Sequence, residues 1–188
     1  MKSNKQFRFY VLCNCLLVGI FLLFIANQSL ATTYCVADEA ELIAALDAAE
    51  GNGEDDVIKV QQRTYDGNFV YTSTESFGVT IEGGYTVGCV SRTVDPINTV
   101  LDGDEAGVVL ALSAPGVAAN FVVDGLTIMN GNVTDSGGGL FINTSGGDIT
   151  VRKNFINNNS AGINGGGLYT SNARSLTISD SSINSNTS

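Results

Sequence analysis

The chain contains no histidine, and positive charge is scarce: nine Lys and Arg stand against 19 Asp and Glu among 188 residues, a formal charge of −10. Without imidazole, the usual general acid or base of neutral-pH catalysis is missing. An acidic surface repels phosphate backbones, which excludes nucleic acid as the expected partner. A bilayer-spanning helix is missing as well. It needs about 20 consecutive apolar residues, and the apolar run from Val11 to Ile25 is shorter and is interrupted by Asn14.

That run has a different reading. Lys2, Lys5 and Arg8 precede it and the small-residue site Ser29-Leu30-Ala31 follows it, the three parts of a cleavable signal peptide over residues 1–31. The expected product is secreted, with no transmembrane segment in the mature chain. Residues 1–31 hold three basic side chains and no acidic one, so the mature chain keeps six basic against 19 acidic residues and a charge near −13. Cys13 and Cys15 leave with the signal, and neither follows the small residue of a lipoprotein site. Cys35 and Cys89 remain, and in an oxidising compartment such a pair reads first as a disulfide. Two separate buried thiols are the alternative, since a disulfide requires Cα atoms within about 7 Å.

In the mature chain, Leu42, Ile43, Ala45, Leu46 and Ala49 recur at helical spacing after an acidic start, with Gly51 just beyond. This predicts one short helix over 40–49 within an N-terminal cap at 32–54. From residue 55 to 188 only short β-type runs follow: Val57–Val60, Phe69–Thr72, Val79–Ile81 and Thr99–Leu101, each bounded by Gly, Asn or Asp. Ile81-Glu82-Gly83, Leu101-Asp102-Gly103 and Val123-Asp124-Gly125 share an ending, 20 and 22 residues apart. Gly137-Gly138-Gly139-Leu140-Phe141 returns as Gly165-Gly166-Gly167-Leu168-Tyr169, and Ile149-Thr150-Val151 returns as Leu176-Thr177-Ile178. Periods of this size mark solenoids or propellers. Three short strand-like pieces per repeat fit one turn of an all-β, right-handed parallel β-helix, a solenoid with a short N-terminal capping helix.

In such a fold Ile149, Val151, Leu176 and Ile178 are core rungs. Asn157, Asn159, Asn184 and Asn186 are the expected corner residues, bonding neighbouring backbone. The glycine triplets allow tight corners or close approach. The helix would cover the first strand edges. At the other end the repeat stops at Ser188 with no cap, so the array looks truncated and residues 165–188 are expected to fray or to be continued in a longer parent.

On these residues the chain resembles secreted right-handed parallel β-helix proteins of the pectin-lyase-like superfamily. Its Gly-Gly-Gly-Leu motifs and Phe155-Ile156-Asn157-Asn158 are also similar to the Gly-Gly-Ala-Ile and Phe-x-x-Asn repeats of chlamydial polymorphic outer membrane proteins, with Gly139 and Gly167 in place of Ala. The resemblance implies a cell-surface or outer-membrane location and an adhesin-like role, with a glycan or a host or cell-surface protein as partner.

Enzymes of this fold type cleave acidic polysaccharides by lyase or hydrolase chemistry. For a calcium-assisted lyase the best basic pair is Arg152-Lys153, although adjacent strand residues face opposite ways and solvated charges are the plainer reading. Asp102, Asp104 and Glu105 read first as an exposed acidic turn, then as hard oxygen ligands for calcium, and last as a catalytic cluster. Asp102 and Asp124 are the carboxylate pair for hydrolysis, yet both stand in Asp-Gly turns. The expectation is therefore a non-catalytic extracellular module, with a polysaccharide lyase fragment as the alternative.

Overall fold

The computed structural model describes residues 31–188. The signal-peptide expectation, with Cys13 and Cys15, lies outside the described residues save for Ala31. The chain folds as an all-β protein with parallel sheets and one α-helix. The first sheet runs in the order β1 (Thr33–Val36), β2 (Asp56–Gln61), β5 (Val79–Tyr85), β8 (Phe121–Asp124), β12 (Asp148–Arg152) and β16 (Ser175–Ser179). The second comprises β3 (Thr64–Asp66), β6 (Val100–Asp102), β9 (Thr127–Met129), β13 (Phe155–Asn157) and β17 (Ser182–Asn184). The third comprises β4 (Phe69–Thr72), β7 (Leu110–Ala114), β11 (Leu140–Thr144) and β15 (Leu168–Ser171). A short pair joins β10 (Asn132–Val133) to β14 (Ser160–Ala161).

Every strand pair is parallel, and the register follows the aliphatic pattern. Ile58, Ile81, Val123, Val151 and Ile178 form one row across the first sheet. Leu101, Ile128, Ile156 and Ile183 form a row in the second sheet, and Leu110, Leu140 and Leu168 one in the third. Strand side chains alternate faces, so each row points one way, into a core whose middle members are fully buried. Burying one such side chain is worth about 1.5–3 kcal/mol.

Three sequence expectations are met with adjusted bounds. The helix α1 is Glu39–Ala49, with Asp38 as N-cap accepting from Glu41 N at 2.9 Å while Glu41 Oε2 accepts from Ala37 N at 2.7 Å, an arrangement close to a capping box. Leu42, Ala45, Leu46 and Ala49 are buried against β1, β2 and β4. The offsets of 27 and 28 residues set β12 on β16 and β11 on β15. The triplet glycines are sites of close approach: a Cβ on Gly138 would collide with the Ser160 carbonyl, and one on Gly166 with the Thr187 carbonyl.

Three expectations differ. Thr33–Val36, placed in the cap, is a strand that pairs with β2. The 20 and 22 residue spacing is not one structural period: Ile81 pairs with Val123, whereas Leu101 lies in the second sheet. The intervening chain, which includes the 3-10 turns Val87–Cys89 and Pro96–Asn98, lengthens that crossing to 42 residues. Of the four asparagines, Asn159 and Asn186 bridge neighbouring strands, with Oδ1 of Asn159 accepting from Gly131 N and Oδ1 of Asn186 from Asn159 N. Asn157 and Asn184 bond locally, to Asn158 and Ser182. Asn154 does the bridging there, accepting from Leu126 N and donating to Val123 O while fully buried.

Candidate functional site

The strand residues after the Ile81 and Val123 core positions share an outward row: Cys35, Lys59, Glu82, Asp124, Arg152 and Ser179. Two carboxylates are thus held between two cations. Left alone, Glu82 beside Asp124 would repel, as like charges directly opposite do. Residues 86–98, the excursion between β5 and β6, bring Arg92 over them. Arg92 Nη1 lies 3.4 Å from Glu82 Oε1 and 3.1 Å from Asp124 Oδ2, its Nε donates to Gly83 O, and its Nη2 donates to Asp124 O. Arg152 Nη2 reaches the same Asp124 Oδ2 at 2.9 Å.

Asp124 is 2% exposed, whereas the Arg152 side chain is 41% exposed. The second carboxylate oxygen of Asp124, Oδ1, is buried with no hydrogen-bond partner. Tyr85 completes the group. Its hydroxyl donates to Glu82 Oε2 at 2.7 Å, and Lys59 Nζ and Arg92 Cζ lie over its ring at 5.4 and 5.5 Å from the centroid. Burial first, then the hydrogen bond to the Glu82 carboxylate, pushes the Tyr85 phenol up to about 12.

The same excursion is tied down covalently. Cys35 in β1 and Cys89 form a disulfide with Cα atoms 5.8 Å apart. The pair expected from an even cysteine count is therefore bonded, and it fastens residues 86–98 to the first strand.

The other sequence candidates lie elsewhere. Lys153 follows Arg152 at the strand end with φ 55, exposed, so only Arg152 joins the cluster. Asp102 lies in the second sheet opposite Asp66 and Met129, not beside Asp124, so the carboxylate pair proposed for hydrolysis is not formed. The Asp102 carboxylate accepts from Asn130 Nδ2 and from Asp104 N. Asp104 and Glu105 are exposed turn residues with positive φ. Among the described residues no group of three or more His, Cys, Asp or Glu side chains is arranged to hold a metal ion. A pocket of about 330 Å³ between β1 and α1, lined by Tyr34, Cys35, Val36, Glu41, Ala44 and Ala45, brings a single carboxylate, already bonded to Ala37 N.

No protein-family model, curated protein or solved structure matches the chain.

Only part of the cluster is legible in the sequence. The repeated endings at 81–83, 101–103 and 123–125 put Asp124 at a strand end but match it with Asp102, whereas in the structure its neighbour is Glu82. Arg92 carries no such signal, because it stands in an irregular segment whose path no periodicity fixes.

Proposed function

We propose that the chain is a secreted right-handed parallel β-helix that works outside the cell or at its surface as a non-catalytic structural and interaction module. A glycan or a cell-surface protein is its partner class. The parallel rows of aliphatic side chains at offsets of 27 and 28 residues support the architecture. Among the described residues no helix is long and apolar enough to cross a membrane.

The observation that carries the non-catalytic reading is the pairing within the charged cluster. A lyase needs an unencumbered base beside its sugar, and a hydrolase needs two carboxyl groups facing each other across it. Here Arg92 bonds both carboxylates and two backbone carbonyls, and Arg152 is paired to Asp124. The cluster holds the 86–98 excursion on the sheet, with the disulfide beside it.

The test is absorbance at 235 nm, which reports unsaturated sugar products, with polygalacturonate and other acidic glycans, with and without calcium. A flat trace is expected. One observation favours a second reading, polysaccharide lyase chemistry: the unpartnered Oδ1 of Asp124 lies next to the half-exposed Arg152. A rising trace that Arg152→Ala abolishes and Lys153→Ala preserves would replace the module by that enzyme.

A further inference from the structure

The repeated Gly-Gly-Gly-Leu-Phe/Tyr motif carries a feature that the core does not use. Leu140 and Leu168 point inward, so Phe141 and Tyr169, one residue on, point out of the third sheet. Each is half-buried. Their rings stack, with centroids 5.6 Å apart and planes 20° off parallel. The first glycine of each triplet clears their flank: a Cβ on Gly137 would lie 2.8 Å from Phe141 Cβ, and one on Gly165 3.0 Å from Tyr169 Cβ. Two repeats thus keep an aromatic ring at an outward strand position, where burial does not demand one.

The row continues from Tyr169 and Phe141 through Ala111 to Val70. Tyr169 covers one face of the Phe141 ring, and the other face turns toward Ala111, the smallest side chain of the row. Beyond it Val70 is 51% exposed. The row therefore has a notch, floored by Ala111 and walled by Phe141 and Val70. Adjacent strands stand about 4.8 Å apart, which puts the two walls about 9.6 Å from centre to centre. A flat ring in carbon contact with both walls, about 4–4.5 Å from each, takes up about 8–9 Å. A strand added beside β15 would lengthen this row and leave the notch uncovered.

The next outward row is polar, with Thr72, Ser113, Asn143 and Ser171. Asn143 Oδ1 accepts from Ser171 Oγ at 2.9 Å and from Asn172 Nδ2 at 3.2 Å. Those two donors fix the orientation of the amide and leave Asn143 Nδ2 without a hydrogen-bond partner among the described residues. It stands two residues from Phe141 on the same face, about 7 Å along the strand. No side chain of either row is charged, whereas the outward face of the first sheet carries Lys59, Glu82, Asp124, Arg152 and Asp148.

We infer that the notch over Ala111 binds one sugar ring of a neutral, β-linked glycan of glucose or xylose configuration. The inference rests on the reading above of an extracellular module with a glycan partner, and it names the site and the ligand class. In such a ring every substituent is equatorial, so both faces present only C–H groups. One face packs on Phe141 and the other on Val70, while hydroxyls at the rim reach Asn143 Nδ2 and Ser113 Oγ, a few placed polar groups beside an apolar slot. A uronate would bring a carboxylate to an acidic chain at rows that hold no cation. A galactose-configured ring would press its axial hydroxyl against an apolar wall, unpaired.

NMR titration of the secreted chain with cellohexaose tests the site. The sugar is expected to shift the ring signals of Phe141 and Tyr169 and the side-chain amide of Asn143. Phe141→Ala is expected to weaken binding about tenfold or more. Ala111→Leu, which fills the notch and removes no packing, is expected to abolish binding with the unfolding midpoint kept. Absence of those shifts, or tighter binding of an oligogalacturonate, would overturn the inference. So would broadening of the same signals with protein concentration alone, relieved by Ala111→Leu, which would make the face a contact between copies. Cellohexaose binding that Ala111→Leu leaves intact sinks this site and leaves the glycan-binding module standing. Release of shorter sugars during the titration sinks the non-catalytic reading and the inference with it.

Discussion

The two ends of the stacked sheets carry the same chemistry in different surroundings. At the first end Val36, Ile58 and Val60 are covered by Leu42 and Leu46 of α1, and all five are 2% exposed or less. At the last end Leu176, Ile178 and Ile183 continue the same kind of rows and remain more than two-fifths exposed. A core residue here owes its burial to the next strand or cap along the row, since its own strand contributes only one side of its surroundings. The first end adds the disulfide and the α1 caps, while the last end has open strand edges.

The widest gap between the ends is expected from truncating one rung at each. Leu46→Ala should cost about 2–5 kcal/mol, and Ile178→Ala about 1 kcal/mol or less, compared by denaturant unfolding. Equal costs would mean that the ends are equally packed. Replacing both Cys35 and Cys89 by Ser should cost about 2–4 kcal/mol, because the bond closes a separation of 54 residues. Proteolysis of the double variant should begin within 86–98, and cleavage first in β16 or β17 would contradict the staple role.

A smaller effect concerns alkali. Burial raises the Tyr65 phenol to about 12, and its hydroxyl donates to Val36 O and Gln61 O at the first end. A phenol whose folded pKa exceeds its unfolded value near 10 adds stability below pH 10, and that stability is lost as pH rises through about 12. Phenolate absorbance should show Tyr65 ionising with unfolding, and Tyr65→Phe should reduce the stability loss between pH 10 and 12, leaving the share of Tyr85. At the last end the effect is smallest. Hydrogen bonds from Arg174, then Ser175, lower the exposed Asp148 carboxyl to about 2, so whatever the pair adds is present above the ordinary carboxylate range and lost as pH falls through about 2. Asp148→Asn should leave the unfolding midpoint unchanged in physiological salt, as expected for an exposed ion pair.

The contrast also shows what the sequence could disclose. The helix, the aliphatic rows after residue 137 and the Asn159–Asn186 bridge followed from periodicity, because each depends on side chains one repeat apart. The disulfide followed from cysteine arithmetic. Residues 86–98 break the period, so the path that carries Arg92 onto Glu82 and Asp124 was not readable. Asp102 was misplaced for the same reason, since Leu101-Asp102-Gly103 copies the endings of the first sheet while lying in the second. Asn154 escaped notice because its counterpart one repeat later is Ser181, whose hydroxyl accepts from Asn154 N.

The most direct test of the stacked rows is methyl–methyl NOE contacts in the selectively labelled chain. The rows require a chain of contacts from Ile58 to Ile81, Ile81 to Val123, Val123 to Val151 and Val151 to Ile178, with none skipping a member. Contacts between Ile81 and Leu101 in place of Ile81 and Val123, or a broken series, would contradict the parallel register on which the proposed β-helix stands.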